Sequence, residues 1–337
     1  MVGENSLILT VTRSCNLRCS YCPTVKDGWP SLSAVDVRKG MELFEQLYGG
    51  GVIKIFGGEP LLETERCKEI ISLAQEKPSI RYVYLSTNGL GLTPELLSWM
   101  NQQSKLILTL SMDGLKRDHR RMRRAFAGAD EVADSYDHVL SLLPELLRVP
   151  RLVITQTIAP ATARNAVENF EHLLELGFQR FNFLPGYFVP WRTEQLAELH
   201  RGFSGIGQII KKRWSAGQYL YVRNLFVRAP TPFFNQGLIV DSDGTVHPSN
   251  IGLSGSFDHL HQETTVGTLS DPPSRTQIET AAANVNALIQ STVPARIWKS
   301  TLAADAELTK LCEHLMPYFL RYKQSRKRLV KELASGY

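Results

Sequence analysis

Three cysteines lie within eight residues of one another near the N-terminus. Cys15, Cys19 and Cys22 directly follow the apolar stretch at residues 7–11. A loop that leaves a strand can turn three thiolates inward to bind an iron–sulfur cluster, which leaves the fourth iron without a protein ligand. An iron with an open position can bind a further molecule. The spacing therefore predicts an iron–sulfur cluster that takes part in chemistry.

Two other interpretations of these cysteines are weaker. A structural zinc site needs a fourth cysteine or histidine nearby, and the nearest histidine in the sequence is His119. A disulfide framework is not expected in a chain of 337 residues with five cysteines, in which we identify no signal peptide. The cluster remains the leading interpretation.

Four further segments carry small polar residues, glycine or clustered arginine. They are Gly57-Gly58-Glu59-Pro60, Ser86-Thr87-Asn88-Gly89, Ser111-Met112-Asp113-Gly114 and His119-Arg120-Arg121-Met122-Arg123. In the first segment, two glycines let the backbone approach a ligand, and Glu59 offers a carboxylate acceptor for an ammonium group. Taken alone, each of the first three segments could equally form a turn or cap a helix.

Together, the cysteines and these segments resemble the motifs of the radical S-adenosylmethionine (SAM) superfamily. The similarity is to the SPASM/twitch branch, which includes anaerobic sulfatase-maturating enzymes and peptide maturases. It covers residues 5–185 well and 235–270 weakly. It implies two cofactors, namely one [4Fe–4S] cluster and SAM, and a reaction in which SAM is cleaved and a 5′-deoxyadenosyl radical abstracts hydrogen from a substrate.

The resemblance also implies which residues bind the cofactors. The cluster ligands would be Cys15, Cys19 and Cys22. The SAM contacts would come from Tyr21, Gly57, Gly58, Glu59, Pro60, Ser86, Asn88, Ser111, Asp113 and Arg123. For Arg123 the assignment stays open, because its arginine neighbours make the register ambiguous and Arg120 replaces the acidic residue usual there. The alternative for this segment is a basic exposed loop.

The segment 239–250 resembles the hairpin that opens a SPASM or twitch domain. In that family the hairpin ends in a cysteine that binds an auxiliary cluster, and Ser249 stands in its place. Cys67 and Cys312 cannot supply the ligands of another cluster. We therefore expect a degenerate cap without an auxiliary cluster. His247 is an open candidate for a substitute ligand, with packing as the alternative.

Cys67 and Cys312 lie among apolar residues at helical spacing. Such positions usually hold inert buried thiols. For Cys312 a second hypothesis comes from its position alone. Family members that invert an α-carbon need a thiol to return a hydrogen atom, and a C-terminal cysteine could serve as this catalytic donor.

The elements that position these residues follow from the hydrophobic pattern. Short aliphatic runs alternate with helical periodicity up to about residue 185, which predicts an α/β fold with a parallel sheet. Strands are predicted at 7–12, 52–56, 81–86, 106–111, 152–158 and 180–184. Helices are predicted between them at 34–48, 63–76, 93–101, 134–147 and 165–176.

Six strands with right-handed crossovers predict a partial (β/α)6 TIM-like barrel. Beyond it we expect a smaller α+β region with helices at 192–215, 275–291 and 304–334 and a hairpin at 237–247. The predicted domains are thus a radical SAM barrel at 1–190 and a SPASM/twitch-like region at 191–337.

The amino-acid composition limits the kinds of protein that this chain can be. A hydrophobic content of 43% in 337 residues is enough for one large core or two modest ones. We expect a cytoplasmic protein with no membrane partner, since no apolar run approaches a membrane span. The net charge is +5, and basic residues concentrate at 116–124 and 321–331. Such runs are usually solvated helix faces, but they also suit an acidic partner.

The leading functional hypothesis is modification of a ribosomally made peptide by epimerisation, cross-linking or excision. The expected partners are a precursor peptide, a separate leader-binding protein and an electron donor of flavodoxin or ferredoxin type. One alternative is a radical SAM enzyme acting on a small molecule of secondary metabolism. Another is a protein that binds RNA or a partner and carries a structural or regulatory cluster, although a nucleic-acid partner is disfavoured.

Overall fold

The structure is a computed structural model that describes residues 5–22, 28–125, 134–227, 236–253 and 255–335. Strands and helices alternate along most of this length. The strands are β1 (Ser6–Thr12), β2 (Gly51–Gly57), β3 (Ile80–Thr87), β4 (Leu106–Ser111), β5 (Leu152–Ile158), β6 (Arg180–Pro185), β7 (Tyr221–Val222), β8 (Gln236–Val240), β9 (Thr245–Ser249) and β10 (Gly267–Thr268). The predicted α/β class is confirmed.

The helices range in length from a single turn to many turns. They are α1 (Ala34–Tyr48), α2 (Thr64–Glu76), α3 (Pro94–Asn101), α4 (Lys116–Met122), α5 (Ser135–Ser141), α6 (Leu143–Leu146), α7 (Ala166–Glu175), α8 (Thr193–Ser215), α9 (His261–Thr264), α10 (Arg275–Thr292) and α11 (Ala295–Ser335). Within the described part of the chain, none of them is long and apolar enough to cross a membrane.

The chain forms two compact units, each assembled from three segments. Unit 1 comprises Met1–Ser111, Arg120–Val153 and Ala229–Ala295. Unit 2 comprises Met112–His119, Ile154–Arg228 and Arg296–Tyr337. This division differs from the boundary expected near residue 190, and the two domains 1–190 and 191–337 stay a prediction.

Unit 1 contains seven strands in the order β10, β9, β8, β1, β2, β3, β4. Strands β8, β1, β2, β3 and β4 run parallel, whereas β9 and β10 are antiparallel to their neighbours. A Cβ atom placed on Gly40 of α1 would lie 3.2 Å from Val240 and 3.5 Å from Leu9. Leu9 therefore faces α1. Because side chains alternate along a strand, Ile8 and Thr10 lie on the opposite face of the sheet.

Unit 2 contains the parallel strands β5, β6 and β7. The core of unit 2 is aromatic. The ring of Phe170 on α7 lies 4.9 Å from that of Phe181 and 5.5 Å from that of Phe183, and Phe203 on α8 packs edge-on against Phe183. These contacts fix one face of β6 against its helices.

Several helices differ from the sequence prediction, among them the short α9, which was not predicted. The helix predicted at 134–147 is split at Leu142, because Pro144 in the first turn of α6 has no N–H to continue the preceding helix. The short α4 was not predicted, since its basic residues show no apolar periodicity. The last helix begins at Ala295, nine residues before its predicted start, and contains Pro317.

Candidate active site

The cysteine loop is held in place by backbone pairing with residues 122–125. The N–H groups of Arg18 and Ser20 donate to the carbonyls of Arg124 and Met122 at 2.8 and 2.9 Å, and Leu17 forms an isolated bridge with Ala125. Cys15, Cys19 and Cys22 are all half-buried. The three thiols therefore lie on one loop whose backbone is fixed at several points.

The two glycines at the end of β2 pack against this loop. A Cβ atom on Gly57 would lie 2.0 Å from the carbonyl oxygen of Thr12, and one on Gly58 would lie 2.2 Å from the carbonyl oxygens of Arg13 and Ser14. The N–H of Gly58 donates to Thr12 at 2.9 Å. Glycine is required here because the backbone of residues 12–14 occupies the space of a side chain.

Glu59 is almost completely buried and accepts three hydrogen bonds. Its Oε1 accepts from the Leu61 N–H at 3.0 Å and from the Thr87 hydroxyl at 2.6 Å, and its Oε2 accepts from the Asn88 N–H at 2.7 Å. Burial raises the pKa of Glu59, although these hydrogen bonds and the charge of Arg123 oppose that effect. The carboxylate thus joins the end of β2 to the end of β3.

Asn88 connects the same region to the cysteine loop. Its Nδ2 donates to Asn16 Oδ1 at 2.7 Å, and its Oδ1 accepts from the Leu90 N–H at 2.9 Å. Pro60 is buried at the start of a 3-10 turn, and Ser86 and Ser111 are half-buried at the ends of β3 and β4. The motifs predicted in unit 1 therefore lie at the carboxyl ends of parallel strands, where α/β enzymes place their sites.

Arg123 differs from the arginines around it. It is 9% exposed, and its guanidinium carbon lies 5.4 Å from the centre of the Tyr21 ring. Arg120 instead lies at the surface in ion pairs with Asp134 and Asp137. Because the carbonyls of Met122 and Arg124 pair with the cysteine loop, the backbone holds Arg123 beside Tyr21. The alternative interpretation of this segment, a basic exposed loop, therefore does not apply to Arg123, because its side chain is buried.

Asp113 lies in unit 2. Its Oδ1 accepts from the Thr157 N–H at 3.1 Å, and its own N–H donates to Nδ1 of the fully buried His119 at 3.4 Å. The neighbouring Asp118 is also buried and accepts from the side-chain amides of Asn165 and Asn169 at 2.9 and 3.0 Å. These bonds fix the turn that follows β4.

A buried ion pair connects the start of the cysteine loop to β8. Arg13 is completely buried, and its guanidinium forms an ion pair with Asp241 in which Nε lies 3.3 Å from Oδ1. The ring of Trp29 covers the guanidinium at 3.5 Å. Burial alone would raise the pKa of Asp241, but the neighbouring His261 and the guanidinium of Arg13 outweigh it and hold that pKa well below its usual range.

His247 and His261 complete this group. Donor atoms of Asp241, His247 and His261 lie within 4.8 Å of one another, a set that a transition metal could accept. Arg13 already neutralises the carboxylate, however, so we interpret the group as a buried ionic network. His247 Nε2 lies 2.8 Å from the Thr245 hydroxyl. Its role as a substitute cluster ligand stays a prediction.

The other two cysteines are buried, and no disulfide joins any of the five described cysteines. Cys67 donates to the Pro60 carbonyl at 3.2 Å, and burial raises the pKa of its thiol. In unit 2, Cys312 lies 3.6 Å from the carbonyl oxygen of Asn224. Ser249 is buried at the end of β9.

Sequence reasoning missed several residues that organise the site. Thr87 supports Glu59, and Arg13, Trp29, Asp241 and His261 form the ionic network. A signal existed for Arg13, since a charged residue between a buried strand and the first cysteine needs a partner. The identity of that partner depends on the pairing of β1 with β8 and could not be read from the sequence.

Comparison with known proteins places residues 9–199 in the Radical SAM superfamily. A GTP 3′,8-cyclase of Cronobacter sakazakii is 31% identical over 144 residues, which is 38% of this chain and 42% of the relative. A GTP 3′,8-cyclase of Stenotrophomonas maltophilia is 37% identical over 119 residues, or 34% of this chain and 36% of the relative. The matched region thus spans well under half of these curated relatives.

Solved structures share the fold over more of the chain. The structure of anSMEcpe with bound AdoMet has a TM-score of 0.71 at 15% identity and covers 94% of this chain and 98% of that one. Streptococcus suis SuiB bound to precursor peptide SuiA has a TM-score of 0.54 at 14% identity, covering 74% and 60%.

The residues present fit the cofactors of this family. Radical SAM enzymes use a [4Fe–4S] cluster and S-adenosylmethionine. Three half-buried thiols on one fixed loop are the donor set that such a cluster requires. The family model covers more than half of the 337 residues, and the chain belongs to the Radical SAM superfamily.

Proposed function

We propose that this protein cleaves SAM reductively and abstracts a hydrogen atom from a peptide substrate. The observation that carries the proposal is the cysteine loop, fixed by residues 122–125 and by Gly58, with Arg123 and Tyr21 beside it. When bound, the cluster supplies the electron that cleaves SAM to a 5′-deoxyadenosyl radical.

In this mechanism, the residues of the protein bind the two cofactors and orient them. Cys15, Cys19 and Cys22 hold the cluster. Arg123 binds the SAM carboxylate, because a buried guanidinium forms strong paired hydrogen bonds with a carboxylate. Glu59 and Asn88 keep the adjoining loops in register through the bonds described above. The remaining contacts with SAM come from Tyr21, the Gly57–Pro60 segment, Ser86, Ser111 and Asp113.

The peptide assignment is supported by the proteins that share this fold. One structure of anSMEcpe contains Cp18Cys peptide and one of SuiB contains precursor peptide SuiA. We propose epimerisation, cross-linking or excision of a residue in a ribosomally made precursor. A leader-binding protein and an electron donor of flavodoxin or ferredoxin type would assist, and the reducing cytoplasm suits an oxygen-sensitive cluster.

The test is an anaerobic assay of the reconstituted protein with dithionite and SAM. We expect 5′-deoxyadenosine from the wild type and none from the Cys15/Cys19/Cys22→Ala variant. A Cys67→Ala variant is the matched control and should retain product formation, since that thiol lies in the α2 core. No product from the wild type would end the proposal and favour a protein that binds a partner and uses its cluster for structure or regulation.

A small-molecule substrate is the second candidate, favoured by the similarity to curated GTP 3′,8-cyclases. The same assay distinguishes the two. Deuterium that moves into 5′-deoxyadenosine from a labelled precursor peptide supports the first candidate. Transfer from labelled GTP supports the second.

Within the peptide candidate, we propose Cys312 as the hydrogen donor of an epimerisation. The support is the chemistry of the thiol, since Cys312 is 4% exposed and its sulfur lies 3.6 Å from the Asn224 carbonyl oxygen, to which an S–H group can donate. A Cys312→Ala variant should still form 5′-deoxyadenosine but lose the inverted product. Full turnover with an unchanged product would exclude this role.

A further inference from the structure

Unit 2 has a surface on which basic side chains lie over aromatic rings. Nζ of Lys211 on α8 lies 4.4 Å from the centre of the Tyr318 ring on α11, and the guanidinium carbon of Arg321 lies 4.5 Å from the same centre. The hydrogen bond and the charge of Lys211, followed by those of Arg321, lower the pKa of Tyr318, because both favour the phenolate. One tyrosine therefore brings two cations together.

A third cation lies over an aromatic ring at the end of the sheet. The guanidinium carbon of Arg180 on β6 lies 4.1 Å from the centre of the Tyr221 ring on β7. The Tyr221 ring stacks on Phe226 at 5.3 Å, and Phe226 packs edge-on against Phe319 of α11 at 5.1 Å. These ring contacts connect β7 to α11. The resulting basic–aromatic surface comprises Arg180, Lys211, Tyr221, Phe226, Tyr318 and Arg321.

The segments that form most of the basic–aromatic surface are free of acidic residues. Residues 199–226 and 314–326 contain eight lysine or arginine residues and neither aspartate nor glutamate. Among the described residues, no carboxylate forms an ion pair with Lys211 or Arg321, whose contacts are with Tyr318. The positive charge of this surface is therefore not balanced by its own side chains.

The basic run at 116–124 has a different environment. Arg117 forms an ion pair with Glu168, and Arg120 pairs with Asp134 and Asp137. Much of the charge of that run is thus neutralised within the protein. A tyrosine ring attracts a cation but carries no net charge to cancel it. The basic–aromatic surface therefore keeps a positive potential, which attracts an anionic partner.

The rings of this surface favour a partner with carboxylates over one with nucleobases. Single-stranded nucleic acids bind aromatic side chains by stacking their bases on open ring faces. The rings of Tyr221 and Tyr318 already have cations over them, and Phe226 also stacks on Tyr221. Ammonium and guanidinium groups carry several N–H donors, so a contact with a ring leaves donors for carboxylates.

We propose that the basic–aromatic surface binds an acidic segment of the substrate peptide, rich in glutamate or aspartate. The inference rests on the proposed function, because it names the charge of that peptide. Lys211 and Arg321 donate to the carboxylates, and Arg180 adds a further positive charge. The ring of Phe226, which is 43% exposed, contacts the apolar parts of the segment. Single ion pairs at a surface are weak, so several act together and depend on salt.

The test measures peptide binding by fluorescence anisotropy, without turnover. The reconstituted holoenzyme with SAM is titrated anaerobically into a fluorescein-labelled peptide of Glu-Ser-Gly repeats. We expect saturable binding that weakens as salt is added. The apparent Kd should rise about ten-fold in the Lys211→Glu/Arg321→Glu variant, because two attractive charges become repulsive.

Two further variants are controls. Lys39→Glu/Arg148→Glu makes the same change in net charge at two exposed positions of unit 1 and should bind within two-fold of the wild type. That result excludes general attraction of an acidic peptide to a basic protein. Lys211→Gln/Arg321→Gln removes the two charges without reversing them, so it keeps the test valid if the glutamates prevent folding. Its Kd should rise about five-fold.

Three results would overturn the inference. They are no binding of the Glu-Ser-Gly peptide by the wild type, an unchanged Kd in Lys211→Gln/Arg321→Gln, and equal binding of a matched peptide of Gln-Ser-Gly repeats. Tighter binding of labelled oligouridylate than of the acidic peptide would also overturn it and assign the surface to nucleic acid. All of these appear in a binding assay, whereas failure of the proposed function appears as absence of 5′-deoxyadenosine.

Discussion

At the scale of single residues, Glu59 holds two strand ends together with one carboxylate. The sequence identifies this residue by its motif and predicts a contact with an ammonium group. The structure adds three donors from the protein itself, supplied by Leu61, Thr87 and Asn88. A carboxylate has about four acceptor sites, so one remains for a ligand.

The Glu59→Gln variant should unfold more easily and bind SAM more weakly. The amide group of glutamine would face at least one N–H or O–H donor that now bonds to the carboxylate. A buried donor without a partner costs about 1–3 kcal/mol. Urea unfolding followed by circular dichroism measures the loss, and equilibrium dialysis with labelled SAM measures the binding.

Glu65→Gln is the control for this experiment. Its carboxylate lies on α2 with 85% of the side chain exposed and forms an ion pair with Lys68 at the surface. It should change the unfolding free energy by less than about 0.5 kcal/mol. Equal stability of the two variants would show that Glu59 does not organise the loops.

His247 should make the stability of unit 1 depend on pH. Burial lowers the pKa of His247 from 6.5 to about 4. The positive charges of Arg13 and His261 also lower it, whereas Asp241 and Asp243 raise it. The unfolded chain therefore binds more protons between these pH values, and stability falls as the solution is acidified. The expected loss is about 2 kcal/mol between pH 7.5 and pH 5.

The measurement compares urea midpoints of the anaerobic holoenzyme at several pH values with those of His247→Gln, which cannot take up this proton. The pH dependence of the variant should be flatter by that amount. His259→Gln, at an exposed position, should follow the wild type. Parallel curves for the wild type and His247→Gln would contradict the assignment.

At the scale of elements, β1 and β8 form the support of the cysteine loop. Their pairing brings Asp241 beside Arg13, and the buried ion pair fixes the chain two residues before Cys15. The loop is thus held at its start by the ion pair and along its length by residues 122–125.

The Asp241→Asn variant should loosen this loop. It removes the negative charge that pairs with the buried guanidinium of Arg13, and breaking a buried ion pair costs about 3–5 kcal/mol. Hydrogen exchange followed by mass spectrometry should become faster at residues 14–22, and a chelator should remove iron sooner. Asp271→Asn, at an exposed position, is the control. Unchanged exchange in Asp241→Asn would show that the loop does not depend on the ion pair.

The sequence predicted the positions of the strands well, but it did not predict the contacts between residues that are far apart along the chain. Aliphatic runs such as 106–111 are local signals, and all six predicted parallel strands are present within a few residues of their expected ends. Residues chosen by motif, such as Cys15 and Glu59, were also accessible to sequence reasoning. The ion pair between Arg13 and Asp241 was not, because it joins positions 228 residues apart. The break at Leu142 was missed although Pro144 signalled it.

At the scale of the whole molecule, we expect the chain to bind one cluster of the family's type, through Cys15, Cys19 and Cys22. Reconstituted protein should contain about four irons per chain, and the Cys15/Cys19/Cys22→Ala variant should contain close to none. Iron and sulfide assays with electron paramagnetic resonance of the reduced protein check this. Cys67→Ala and Ser249→Ala should keep the wild-type iron content. About eight irons would mean that the C-terminal region binds a second cluster through other residues.

The pairing of β1 with β8 also sets the order of events during synthesis. The ribosome releases Arg13 early, but its counter-ion follows 228 residues later. At about 5–20 residues per second, this delay is roughly 11 to 46 s. Throughout it, the three thiols stay on a segment that lacks its support from β8. The binding loop is therefore fully supported only after Asp241 has been synthesised, which makes cluster assembly dependent on the synthesis of β8.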